Sequence, residues 1–85
     1  LIPLVRIAPR YPRNALLKGT EGYVVVELLV DESGSVLSAV VKEARPSTVF
    51  NAAAVQAVLK WKFKPRVEGG VAVQQRGITR IDFQI

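Results

Sequence analysis

The chain has 85 residues, and its twelve Lys and Arg against seven Asp and Glu give a net charge of +5. This length supports one domain, and a hydrophobic fraction of 49% is enough for a small core. The absence of cysteine excludes disulfides and thiolate metal sites, the absence of histidine removes the commonest general base, and the basic balance points to an anionic partner.

The chain opens with an extended lead segment, residues 1–10, because Pro3 and Pro9 prevent a helix there. A short helix follows, with Pro12 in its first turn, residues 14–18 in its body and Gly19 ending it in the left-handed conformation. A helix under two turns must be held by packing. The side chains expected to be buried are Tyr11, Ala15 and Leu16.

The stretch Gly22–Asp31 is rich in β-branched residues and is predicted to be the central strand. One alternate set of side chains is wholly apolar, and the other carries only one charge and one phenol. A strand of this kind is typically paired on both sides and covered by a helix. The apolar set comprises Val24, Val26, Leu28 and Val30.

Residues 31–35 predict a hairpin turn with Gly34 at a positive φ, and residues 36–44 predict the returning strand. Its alternation is imperfect around Val36 and Val40, which predicts a bulge or twist. A helix then follows, with Ser47 as the expected N-cap and Asn51 as the second choice. Its buried stripe is expected to be Phe50, Ala54, Ala57 and Trp61.

The alternation of aromatic and basic residues from Trp61 to Pro65 indicates that the helix has ended and the chain is extended. Residues 66–70 are expected to be a loop that turns at its two glycines. Residues 71–85 are then expected to form the last strand, in which Gly77 indicates a kink or a close approach. The inward side chains of this strand are predicted to be Thr79, Ile81, Phe83 and Ile85.

These elements predict an α+β fold, with a three-stranded antiparallel sheet and two helices packed on one face in βαββαβ-like order. We expect one domain over residues 1–85, in which residues 1–10 are the extended lead and residues 11–85 the globular part. The chain begins at a leucine, so we expect it to be an excised domain, and any anchor would lie outside it. No stretch reaches the roughly 18 apolar residues of a membrane span.

Motifs for enzymatic chemistry are missing from the chain. The glycine pair at 69–70 is not followed by the lysine and hydroxyl residue of a phosphate-binding loop, and no serine has a histidine available. We therefore expect that the chain is not an enzyme and that it binds no cofactor and no metal. The cations Lys60, Lys62, Lys64 and Arg66 suit phosphates, but the strands lack the aromatic signature of an RNA-binding sheet, so we expect no nucleic acid.

Several motifs together resemble the TonB C-terminal domain family over nearly the whole chain. They are Pro9-Arg10-Tyr11-Pro12, Gly19-Thr20-Glu21-Gly22 before a valine strand, the hairpin at residues 31–36, and Trp61-Lys62-Phe63-Lys64-Pro65 at the end of the second helix. The resemblance implies a periplasmic domain of an inner-membrane energy transducer in a Gram-negative envelope. It also implies that a missing N-terminal anchor works with ExbB and ExbD.

The resemblance implies that the partner is the TonB box of an outer-membrane transporter for siderophores, haem or cobalamin. This peptide is expected to bind by β-strand addition to the free edge of the last strand. The partner-binding residues expected there are Gln75, Arg76, Gly77, Ile78, Thr79, Arg80, Ile81, Asp82 and Phe83.

The lead segment is the second expected contact with the transporter, because family members use the residues just before the Tyr-Pro pair. The family's glutamine in this segment corresponds to Ala8 here. The expected contact residues are Arg6, Ala8, Pro9, Arg10, Tyr11 and Pro12. Two further possibilities are a TolA-like envelope scaffold of similar fold and a homodimer formed through the sheet edges.

Overall fold

The residues from Gly22 to Val30 form the middle strand of the main sheet in the computed structural model, which describes residues 1–85. The elements in chain order are β1 (Pro3–Val5), α1 (Arg13–Lys18), β2 (Gly22–Val30), β3 (Val36–Arg45), α2 (Asn51–Val58), β4 (Lys62–Phe63), β5 (Arg66–Glu68), β6 (Val71–Val73) and β7 (Gln75–Phe83). The main sheet is antiparallel in the order β3-β2-β7. The predicted fold class and the central position of this strand are confirmed.

One face of the main sheet carries the core. The four alternate apolar side chains of β2 are fully buried there, and residues of both helices join the same cluster. The ring of Phe50 stacks on that of Phe83 with centroids 4.3 Å apart, and the Tyr11 ring packs edge-on against both. Each large apolar side chain buried in this way stabilises the fold by about 1.5–3 kcal/mol.

Strand β3 contains the predicted irregularity in the form of two bulges. Its register against β2 shifts once at Leu37 and once at Lys42. Each extra residue returns the next apolar side chain to the core face, because side chains alternate with a period of two. The residues of β3 that pack on the core are therefore spaced unevenly, at Val36, Ala39, Val41 and Ala44.

The short helix α1 ends as predicted at Gly19, whose φ of 67° is left-handed. Pro12 is the N-cap and not a residue of the first turn. The expectation that Leu16 is buried is wrong, since 51% of it is exposed. Ala15 is the only buried residue of α1, because so short a helix places only one side chain against the core.

Helix α2 begins later and ends earlier than the sequence pattern predicts. It starts at Asn51 directly after Phe50, so Ser47 does not cap it and Asn51 is its first residue. Trp61 lies beyond its end, although the predicted stripe that includes Trp61 is buried. The fully buried Phe50 ring fixes where the helix meets the core, and this packing outweighs the cap preference of the serine.

The segment after Trp61 contains more strand pairing than expected. The predicted loop at residues 66–70 is the start of a hairpin in which β5 pairs with β6 across Gly69 and Gly70. The predicted last strand is therefore divided at Gln74, and only residues 75–83 join the main sheet. Ile85 lies past the end of β7 and is exposed, contrary to the predicted alternation.

The lead segment does not pair with the main sheet. Its strand β1 pairs with β4, and the amide of Lys64 donates to the carbonyl of Ile2. The hairpin turn at residues 31–35 contacts β4 from the other side, where Phe63 donates its N–H to the carbonyl of Gly34. The φ of Gly34 is 90°, as predicted, and a side chain there would collide with the Phe63 carbonyl.

The carboxylate of Asp31 organises the hairpin turn. Its Oδ1 accepts hydrogen bonds from the Ser33 hydroxyl, the Ser33 N–H and the Ser35 N–H. These bonds, led by that of the Ser33 side chain, hold the pKa of Asp31 below its ordinary value. Neither helix of the fold has the length and apolarity that a membrane crossing requires.

Candidate functional site

The outer edge of β7 has no backbone partner. The strand pairs with β2 along all nine of its residues, and no backbone hydrogen bond joins it to any other strand or loop. An unpaired edge is a template for another extended chain, and proteins usually blunt such edges. This edge is the feature of the fold most suited to binding a peptide.

The other free edge of the sheet is different. Strand β3 is interrupted by its two bulges, whereas the register between β2 and β7 has no shift. Bulges bend a strand and break the row of outward backbone groups, which is one way to protect an edge. The regular edge of β7 is therefore the better site for strand addition.

The hydrogen-bonding pattern identifies the outward backbone groups of β7. Asp31 donates its N–H to Ser35, so the odd-numbered residues of β2 face β3 and the even-numbered residues face β7. The partners of those even residues are the odd residues of β7. The residues that turn their N–H and C=O groups outward are thus Arg76, Ile78, Arg80 and Asp82.

A slot lies beside this edge. It has a volume of about 400 Å³ and is lined by residues 6–9 of the lead segment, by residues 80–82 of β7 and by Trp61. The slot thus has the lead segment on one side and the free edge on the other. An extended chain added to β7 passes the lead segment here.

Trp61 holds the lead segment in position as a wall of the slot. Its Nε1 donates a hydrogen bond to the carbonyl oxygen of Ile7 at 2.8 Å, and the guanidinium of Arg6 lies 4.8 Å from the centre of its ring. Trp61 itself is 4% exposed, so it anchors the segment from the core. The prediction that Trp61 is a core residue agrees with this burial.

The open face of the sheet next to the edge is charged but not uniformly basic. Arg80 pairs with Asp82 at 2.9 Å and lies 4.0 Å from the Tyr23 ring centre, while Arg76 lies 3.7 Å from Glu27. All of these charged side chains of β7 are exposed, so each pair contributes at most about 1 kcal/mol. Ile78 lies among them with 66% of its surface exposed.

The close neighbour of Gly77 is a side chain and not the backbone that the sequence predicted. The atoms that a Cβ at this position would meet belong to the side chain of Leu1. The first residue of the lead segment therefore lies against the inner face of β7. The φ of Gly77 is not positive, and the Leu1 side chain is 48% exposed, so it can move aside for a methyl group at this position.

Residues 75–79 of the predicted site lie along β7 beyond the slot, and the other ten lie in or near the slot, in the core or beside α2. Arg6, Ala8 and Pro9 share the slot with Arg80, Ile81 and Asp82. Ile81 and Phe83 have buried side chains, so only their backbone remains near the edge. Tyr11 and Pro12 lie away from the slot, with Arg10, beside helix α2.

The side chain of Tyr11 has a structural role. Its hydroxyl donates to the carbonyl oxygen of Thr20, and its ring packs against Phe50 and Phe83. Burial raises the pKa of Tyr11 above its ordinary value, and the charge of Glu21 adds to this effect. Sequence reasoning had not identified Trp61 and Ile7 as part of the slot, because their contact joins distant parts of the chain.

Comparison with known proteins finds one family, both by its family model and by individual relatives. Residues 7–85 match the family described as the Gram-negative bacterial TonB protein C-terminal. The chain is 37% identical over 83 residues to protein TonB of Pseudomonas aeruginosa, covering 98% of this chain and 24% of that protein. It is 31% identical over 80 residues to protein TonB of Vibrio cholerae, covering 94% of this chain and 33% of that protein.

Two solved structures are also similar. The solution NMR structure of the Pseudomonas aeruginosa TonB CTD superposes with a TM-score of 0.83 at 37% identity, covering 98% of this chain and 84% of that one. The TonB2 protein of Vibrio anguillarum gives a TM-score of 0.72 at 35% identity, covering 100% of this chain and 81% of that one. The chain spans about a quarter to a third of the length of the curated relatives named above.

Proposed function

Because the chain belongs to the family of Gram-negative bacterial TonB protein C-terminal domains, we propose that it is the periplasmic, transporter-binding domain of a TonB-type energy transducer. It is a transport component and not an enzyme. Its partner in this proposal is the TonB box of an outer-membrane transporter. The energy comes from the inner-membrane proton gradient, through ExbB, ExbD and an N-terminal anchor, and it drives uptake of siderophores, haem or cobalamin.

The observation that carries the proposal is the free, regular edge of β7. Its four outward residues offer four N–H and four C=O groups in one row. A visiting extended chain satisfies these groups by strand addition, which depends little on its side chains. One surface of this kind therefore suits several transporters whose sequences differ.

The expected affinity is low. About eight hydrogen bonds at roughly 1 kcal/mol each exceed the lowest cost of association by about 4 kcal/mol, so the backbone contact alone gives a dissociation constant on the order of millimolar. Side-chain contacts raise the affinity selectively. Arg76 and Arg80 favour acidic residues on the visiting strand, and the slot beside Ala8 accepts a small apolar side chain.

The lead segment completes the site. Its residues 6–9 face the edge across the slot, held there by Trp61. A docked strand is then enclosed on a second side, which excludes water from its hydrogen bonds and strengthens them. The alanine at position 8 offers only backbone and methyl contacts, in place of the amide of a glutamine.

The direct test is an NMR titration of the ¹⁵N-labelled chain with a synthetic TonB-box peptide. The expected result is a saturable shift of the amide signals of residues 76–82, together with smaller shifts at Ile7 and Ala8. A peptide of the same length with a proline at its centre, which removes a backbone donor from the added strand, is the control. Shifts confined to residues 60–66 would show that the edge is not the site.

A further inference from the structure

The charges of this chain are unevenly distributed over the fold. Residues 1–20 and 46–61, which contain the lead segment and both helices, hold five Lys and Arg and no acidic residue. The remaining residues, which include every strand of the main sheet, hold seven Lys and Arg and all seven Asp and Glu. The net charge of +5 therefore lies entirely on the parts of the chain that contain the lead segment and the helices.

A cleft runs across this part of the molecule, between the lead segment and α2. It consists of two adjoining cavities of about 210 and 360 Å³, which share Arg10, Ala53 and Gln56. Arg13 lines one end and Lys60 the other. No acidic side chain lines either cavity.

The cations of the cleft have no partners within the chain. The four ion pairs of the structure all lie on the strands, and none involves Arg10, Arg13 or Lys60. These three side chains are exposed and make no side-chain hydrogen bond. They are therefore free to bind an anionic group.

The shape of the cleft favours one class of partner. Small alanine side chains, at positions 52, 53 and 57, line the α2 side, so a polypeptide backbone can approach closely. The cleft is concave, which suits a narrow chain better than a lipid surface. The only aromatic that lines it is Tyr11, which is packed against two other rings and does not offer a face for stacking bases.

We propose that this cleft is a second interaction surface, which binds an extended acidic segment of a partner protein. Carboxylates of the segment pair with Arg10 and Arg13 at one end and with Lys60 at the other. Its apolar side chains contact the alanines between them. This surface is separate from the β7 edge, and the two have only Ile7 and Ala8 of the lead segment in common.

The test uses the 85-residue chain and a fluorescein-labelled decapeptide of alternating glutamate and alanine. Fluorescence anisotropy at 50 mM salt is expected to give saturable binding, which weakens strongly at 300 mM salt because exposed charges are screened. Amide shifts in the labelled protein are expected at Ala53, Gln56 and Ala57. The same peptide with glutamine in place of glutamate is expected not to bind.

Two matched double variants separate the cleft from a general charge effect. The variant Arg10→Gln/Lys60→Gln removes two cations of the cleft and is expected to bind the acidic peptide about fivefold more weakly. The variant Lys18→Gln/Lys64→Gln removes two other exposed cations, which do not line the cleft. It is expected to bind within about twofold of the original chain.

Three results would overturn the proposal. They are an equal loss of binding in both double variants, undiminished binding of the glutamine peptide, and amide shifts that map outside the cleft. Vesicles with 30% anionic lipid and a single-stranded oligonucleotide are measured in parallel. If the vesicles or the oligonucleotide bind saturably at the cleft and the acidic peptide does not, the cleft binds that ligand and the proposal of an acidic protein partner is wrong.

Discussion

The indole Nε1 of Trp61 donates a 2.8 Å hydrogen bond to the carbonyl oxygen of Ile7, across a separation of 54 residues. This bond joins the end of α2 to the lead segment, whose residues are otherwise mostly exposed. The lead segment in turn separates the slot at β7 from the basic cleft at α2. One core side chain therefore positions a wall that both proposed surfaces share.

Replacement of Trp61 by phenylalanine tests this role. The variant keeps an aromatic ring in the core but loses the N–H donor, so the Ile7 carbonyl loses its partner. We expect a loss of about 1–2 kcal/mol in the free energy of unfolding, measured by urea denaturation. The ¹⁵N order parameters of Ile7 and Ala8 are expected to fall, while those of β2 stay unchanged. Unchanged order parameters in the lead segment would show that other contacts hold it.

The substitution Gly77→Ala tests the contact between β7 and the first residue. The new methyl group meets the end of the Leu1 side chain, which is 48% exposed and can turn away, so we expect a loss of at most about 1 kcal/mol in the free energy of unfolding. The double variant Gly77→Ala/Leu1→Ala is expected to recover any such loss, because the two sites are in contact. The readout is the midpoint of urea unfolding in a double-mutant cycle.

A second glycine provides the control for that cycle. Gly69 has a φ of 56° and nothing near its missing Cβ, so Gly69→Ala is destabilised by backbone conformation alone. Leu1→Ala is expected not to rescue it. Equal rescue of both glycine variants would mean that Leu1 acts on global stability and not through its contact with Gly77.

Proline at Ile78 tests the docking edge directly. Ile78 turns its N–H away from β2, so a proline there removes one outward donor but no hydrogen bond of the sheet. We expect the variant to fold, by circular dichroism, and to bind a TonB-box peptide at least about tenfold more weakly. Ile78→Ala, which keeps the N–H, is expected to bind within about threefold of the original chain, since only side-chain contact is lost.

The companion variant Thr79→Pro tests the assignment of inward and outward groups. Thr79 turns its N–H toward β2, where proline removes a hydrogen bond of the sheet, and we expect this variant to be strongly destabilised. A folded Thr79→Pro variant together with an unfolded Ile78→Pro variant would reverse the assignment. Normal peptide binding by a folded Ile78→Pro variant would contradict strand addition at this edge.

The hairpin turn makes the stability of the domain depend on pH. The pKa of Asp31 is lower in the folded chain than its ordinary value of 3.8, so the unfolded chain takes up a proton first as the pH falls. The stability that this carboxylate contributes is present above that value and is lost as the pH falls through the folded pKa. Urea denaturation from pH 6 to pH 2 measures the effect.

Asp31→Asn is expected to be less stable than the original chain at pH 6. Its free energy of unfolding is also expected to fall less as the pH is lowered. Glu32→Gln is the matched control, because Glu32 is the neighbouring carboxylate and accepts no hydrogen bond. It is expected to keep the pH dependence of the original chain. An identical acid profile for the original chain and Asp31→Asn would show that the turn does not cause the dependence.

The elements with strong local patterns could be predicted from the order of residues alone. The apolar alternation of residues 22–30, the positive-φ glycines at 19 and 34, and the helical stripe from Phe50 were all predicted and found. These features depend on neighbours in the chain, because side-chain periodicity and backbone conformation are set within a few residues. The motifs on these elements and next to them also indicated the TonB C-terminal domain family.

The assembly of the candidate site could not be predicted in the same way, because it depends on contacts between distant parts of the chain. The free edge of β7, the two bulges that make β3 different, and the lead segment held by Trp61 all depend on pairing between distant residues. The observed start of α2 also differs from the predicted one, because burial of Phe50 outweighs the cap preference of Ser47. Long-range packing contributes more to the free energy of folding than local propensity does. It therefore determines which backbone groups stay unpaired.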